Sequence, residues 1–157
     1  MLVELLRWAH IIGATVLLGT GAGIAFFMLM AHRAGDARLI AHTASIVVIA
    51  DFVFTASAVI VQPVTGLWLA VEMGWSLTEP WILWSIGLYI FVGCFWLPVV
   101  WIQQRMRDLA RDAVQSGDGL PDRYHALFRI WFWCGFPAFF AVLAIVWLMV
   151  TRPALAH

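Results

Sequence analysis

The sequence has little charge. Asp, Glu, Lys and Arg make up 11% of its 157 residues, and none of the positive ones is lysine. A soluble domain carries about a quarter of its residues as charges, so that class is excluded. A nucleic-acid-binding surface, which needs a basic patch, has no support either. Net charge is zero, so the balance of signs points to no partner. The two cysteines, Cys94 and Cys134, both fall inside apolar runs. They exclude a disulfide framework of the secreted kind, match no metal-binding spacing, and read as small core residues. There is no internal repeat and no low-complexity tract, which leaves one domain over residues 1–157.

What the chain does have is apolar length. Hydrophobic residues make up 64% of it. They gather in four runs, at about 5–30, 43–71, 81–103 and 129–151, each longer than the roughly 20 residues a helix needs to cross a bilayer. The first run is too long in its apolar core, and lacks the small-residue site, for a cleavable leader. The expected fold is an all-α membrane protein, an antiparallel bundle of four transmembrane helices with short loops. Arg33, Arg38, Arg105, Arg107, Arg111, Arg123 and Arg129 lie in or beside the loops between runs 1 and 2 and between runs 3 and 4; only Arg7 and Arg152 lie opposite. By the positive-inside rule those loops are cytoplasmic and both termini face outward.

Inside this apolar frame a few polar residues stand out. His10 opens the first run and is followed by Gly13, Ala14, Gly19, Gly21 and Gly23. His10, Ala14, Leu17, Gly21 and Met28 share one stripe of a helix, expected to face the other helices. An ionisable side chain in a membrane span is costly and marks function by default, and small residues let a backbone or a flat cofactor approach. In the second run Asp51, Thr55, Gln62 and Thr65 fall on one face. Pro63 breaks a helical hydrogen bond, so the carbonyl near Val59 needs another partner or lines a cavity. Measured along the helix, His10 lies about 12 Å outward of mid-membrane, level with Gln62 to Thr65, while Asp51 lies about 9 Å to the cytoplasmic side. His10 and Asp51 should therefore not touch, but could end one polar seam. His32 and His42 read as interfacial residues needing no special partner. Apolar positions 102, 106, 109 and 113 predict an amphipathic extension of the third helix lying in or near the interface.

Several stretches resemble a family of predicted integral membrane proteins of bacteria, the domain-of-unknown-function family 2269. They are Trp-Ala-His-Ile-Ile-Gly at 8–13, Ala-Asp-Phe-Val-Phe-Thr at 50–55, Gln-Pro-Val-Thr-Gly-Leu-Trp-Leu at 62–69, Trp-Leu-Pro-Val-Val-Trp at 96–101 and Phe-Pro-Ala-Phe at 136–139. More distantly, the His-Ile-Ile of the first helix, the Gly-Leu-Trp of the second and the proline of the fourth are similar to HemJ-type protoporphyrinogen oxidases. That resemblance implies haem b with His10 as a ligand. It also implies a functional lysine early in the third helix, where this chain has Trp84 and no lysine anywhere.

The resulting expectation is a haem-binding redox protein of a bacterial inner membrane, a homodimer surrounded by lipid. His10 would ligate the iron, with Gly13, Ala14, Leu17, Gly21 and Thr65 around the macrocycle. Asp51, Thr55 and Gln62 would handle protons or a small substrate, such as a porphyrinogen, a quinone or a small oxidant. The second ligand is Met149 or none, the latter leaving a pentacoordinate iron, and His42 with His125 is a candidate pair for a second haem. The alternative is a small non-enzymatic membrane carrier or structural subunit, in which His10 and Asp51 bind protons or hold helices together.

Overall fold

The structure, a computed structural model, describes residues 1–153. It is all-helical: α1 (Leu2–Ala34), α2 (Ala37–Glu72), α3 (Pro80–Ser116) and α4 (Asp122–Thr151). All four are long and apolar enough to cross a membrane. At 1.5 Å per residue, the 33 residues of α1 and the 37 of α3 reach about 50 and 55 Å against a hydrocarbon layer of about 30 Å, so their ends stand clear of it. Large apolar side chains such as Phe27, Phe52, Trp133, Phe140 and Trp147 are exposed along the lengths of the helices and meet lipid.

The ends of the helices follow local chemistry. Gly35 and Gly117 close α1 and α3 in the left-handed conformation, φ 69° and 75°, which glycine adopts without steric cost. Asp36 caps α2, its side chain accepting from the Arg38 backbone N–H at 2.8 Å.

Packing is uneven along the bundle. At the arginine-rich end thirteen buried residues form one cluster, among them Met28, Ile40, Ala44, Met106, Ala110 and Tyr124, each at most 1% exposed. Alanines 31, 41, 44 and 110 within it let the backbones approach closely. At the other end only Ala70, Trp81 and Ile82 form a buried cluster, with Trp75 and Met149 against it. There the second part of α2 packs closely on α1, but reaches α3 mainly through side chains.

Several expectations need correction. α2 is interrupted by a π-helical turn at Asp51–Thr55. The inward residues Val47, Asp51 and Thr55 are spaced four apart twice in succession, which rotates them off one face of a 3.6-residue helix. The wider turn absorbs that drift and keeps both Asp51 and Thr55 inside. The extension of α3 does not lie along the interface: Ile102, Met106, Ala110 and Ala113 are buried, the first three within the main cluster. Cys94 is exposed and Cys134 half-buried, so neither is a core residue. Gly21 is exposed with nothing near its missing Cβ, and Leu17 and Ala14 are only half-buried.

Candidate functional site

His10 meets the second part of α2 where the depth arithmetic placed it. Its Nδ1 lies 3.1 Å from Thr65 Oγ1 and its Nε2 lies 3.3 Å from Gln62 Nε2. The Thr65 hydroxyl donates to the Val61 carbonyl at 2.8 Å, the back-bonding that threonine favours within a helix. Its oxygen therefore accepts from Nδ1–H. That assigns the neutral tautomer whose Nε2 lone pair accepts from the Gln62 amide.

The two glycines at this crossing have specific occupants. A Cβ on Gly66 would stand 2.8 Å from His10 Cε1 and 3.3 Å from Nδ1, so the imidazole rests directly on that backbone. A Cβ on Gly13 would collide with Gln62 Oε1, an oxygen that is buried without a hydrogen-bond partner among the described residues. Gly66→Ala is therefore expected to lever His10 off Thr65 and to destabilise the protein by about 1–3 kcal/mol, the usual cost of overpacking. Thermal unfolding in detergent checks this; a Gly66→Ala protein melting with the wild type would show that the contact is not tight.

This geometry bears on the haem expectation. A porphyrin on His10 needs Nε2 free, a flat slot beside it and, for six-coordinate iron, a second donor. Here Nε2 faces Gln62, the imidazole itself fills the space over Gly66, and Gln62 fills the space over Gly13. Met149 packs instead with Ala70, Trp81 and Ile82. As packed, these residues do not fit a haem. Nor does the suggested second pair come together in the expected way. His125 has His32 as a neighbour, ring centroids 5.8 Å apart, and His42 and His125 are both exposed. His32 is far from partnerless: it stacks on Phe128 at 3.6 Å, and its Nδ1 lies 3.3 Å from the Tyr124 hydroxyl.

Asp51, 5% exposed, forms a second polar centre. Its Oδ1 accepts from Trp96 Nε1 at 3.2 Å. A cavity of about 60 Å³ opens beside it, lined on α3 by Trp96, Val100, Gln103 and Gln104. Its wall is mostly apolar, Val48, Phe52, Ala56 and Val100 among it, with Asp51, Gln103 and Gln104 as the polar members, and its volume is large enough for a water. Gln103 is buried, with Oε1 lacking a partner among the described residues. Thr55 Oγ1 is likewise buried and lies beside the Asp51 carboxyl.

Between the two centres stands a group that the sequence reading missed. Tyr89 donates its hydroxyl to the Val59 carbonyl at 2.5 Å. Val59 is four residues before Pro63, so this is the carbonyl that the proline deprives of its helical donor. A free carbonyl was legible in the sequence; the tyrosine that meets it was not, because which residue of α3 faces α2 depends on helix packing. Trp96 and Gln103 were missed for the same reason.

The family described as predicted integral membrane protein (DUF2269) matches residues 4–153. The chain belongs to that family. No curated protein and no solved structure matches it. Membership in DUF2269 agrees with the four spans and assigns no chemistry, so the function is argued from the polar groups themselves.

Proposed function

We propose that this DUF2269 protein is a small, non-haem membrane carrier that binds protons and passes them along the inner face of α2. The observation that supports this is the spacing of polar groups on that helix. Asp51, Thr55, the Tyr89 hydroxyl at Val59, Gln62, and His10 with Thr65 follow one another every three or four residues. At 1.5 Å per residue the steps are about 5–6 Å. One water accepting from one group and donating to the next, at about 2.8 Å each, spans such a step. The buried Gln62 Oε1, without a partner among the described residues, lies on this line, and a buried polar atom of that kind calls for a partner. His10 and Asp51, about 21 Å apart along the axis, supply a titratable group near each end.

In this reading the helices run antiparallel in the inner membrane of a bacterium, with both termini outward by the positive-inside rule. His10 then collects protons near the outer face and Asp51 near the cytoplasmic one. A second copy of the chain covers the glycines at 19, 21 and 23, around which this chain places nothing.

Two measurements on the purified protein test the proposal. In liposomes holding a pH-sensitive dye, an imposed membrane potential should drive acidification faster than in protein-free vesicles; equal rates would end the carrier reading. In detergent, the visible spectrum should be flat before and after dithionite. A Soret band that shifts on reduction and vanishes in His10→Ala would instead establish the haem-binding oxidoreductase suggested by the HemJ-type resemblance, with Gln62 swung away from Nε2.

A further inference from the structure

At the arginine-rich end, α2 and the extension of α3 flank a second cavity, of about 430 Å³ and open to the surface, lined by Arg38, Ala41, Arg111, Val114 and Gln115. Its charge is one-sided. The ion pairs among the described residues are Met1 with Glu4 and Arg107 with Asp108, so neither Arg38 nor Arg111 is matched by a carboxylate. Asp36, the nearest acid in sequence to Arg38, is engaged by the Arg38 backbone N–H at the helix cap.

Arg111 is also held in place. Its Nη2 donates to Ser45 Oγ at 2.9 Å, and Ser45 in turn donates to the Ala41 carbonyl at 2.6 Å. A guanidinium fixed through one nitrogen keeps its remaining donors for a second acceptor. Arg38 is the second residue of α2, where the free N–H groups of the first turn add to the positive potential.

We infer that this cavity binds the phosphate of an anionic phospholipid headgroup. Two unpaired arginines form the usual receptor for a phosphate oxyanion, and the volume admits a phosphodiester with its glycerol. Depth and wall chemistry favour the lipid over free phosphate. Ser45 sits about 3 Å inside the second apolar run and Arg38 about 8 Å before it, so the cavity spans the headgroup layer, which is about 5–8 Å thick on each side. The walls between the arginines, Ala41 and Val114, suit the start of an acyl chain rather than a hydrated ion. Basic pockets between transmembrane helices bind such headgroups in this way.

Native mass spectrometry of the detergent-solubilised protein tests the assignment with three probes: phosphatidylglycerol, phosphatidylcholine and inorganic phosphate. The wild type is expected to retain one phosphatidylglycerol with roughly tenfold preference over phosphatidylcholine. The Arg38→Gln/Arg111→Gln double variant should lose that preference. An Arg123→Gln/Arg129→Gln protein, which loses the same charge away from the cavity, should keep it. Equal retention of the two lipids by the wild type, which depends on no variant folding, would overturn the inference. So would a preference that survives in Arg38→Gln/Arg111→Gln, or an adduct formed with inorganic phosphate but not with lipid.

Discussion

Vesicles carrying Asp51→Asn protein are expected to acidify at a rate reduced by roughly a hundredfold, the lower edge of what a positioned proton-transfer group contributes, or down to the passive leak if that is reached first. The substitution changes one atom's chemistry and little else. An asparagine keeps the size of the side chain, and its oxygen can still accept from Trp96 Nε1, the 3.2 Å bond that Asp51 makes now. What it cannot do is release a proton at physiological pH. The protein should therefore reach the membrane folded and melt close to the wild type. Loss of flux together with loss of fold would make Asp51 a structural residue, and retained flux would remove it from the pathway. Asp51→Glu separates the requirements further, because it restores a titratable oxygen but pushes it into the cavity of about 60 Å³ beside Trp96 and Gln103. Partial recovery of flux is the expected result.

The reasons some of this could be read from the sequence are physical ones. Spans are legible because lipid demands long apolar stretches with their backbone bonds satisfied internally, and that demand leaves its mark on every residue. The pairing of His10 with Gln62 and Thr65 was legible because helical rise is constant, so depth in the membrane follows from counting. The glycines misled for a related reason. A small residue announces that something approaches the backbone, but not what. At Gly66 and Gly13 the occupants are the protein's own His10 and Gln62, which turns an expected cofactor seat into a helix crossing. The π turn at Asp51–Thr55 and the meeting of His32 with Phe128 and Tyr124 lie further out of reach. Both arise from which faces the helices turn to one another, and an apolar sequence surrounded by lipid constrains that only weakly.

The largest loss of stability is expected from Tyr124→Ala, about 3–5 kcal/mol for emptying a fully buried aromatic site. Tyr124 is 0% exposed, and its ring packs with His32 at 5.7 Å and Phe128 at 6.4 Å between centroids. Tyr124→Phe keeps the ring and removes only the hydroxyl 3.3 Å from His32 Nδ1, so about 0.5–1.5 kcal/mol should go with it. The informative comparison is with Met149→Ala at the opposite end, where the buried cluster has three members rather than thirteen. There the neighbours are fewer and can close over the gap, and the cost should be roughly half or less. Thermal unfolding of the three variants in one detergent decides the matter. The expected order places the rigid anchor of the helices at the arginine-rich end and leaves the crossing around His10 and the Tyr89 bridge as the more easily displaced part. A proton carrier benefits from that arrangement, because Gln62 must reorient on each transfer while the helices stay registered. If Met149→Ala costs as much as Tyr124→Ala, both ends are equally fixed and the polar groups on α2 have no softer end in which to move.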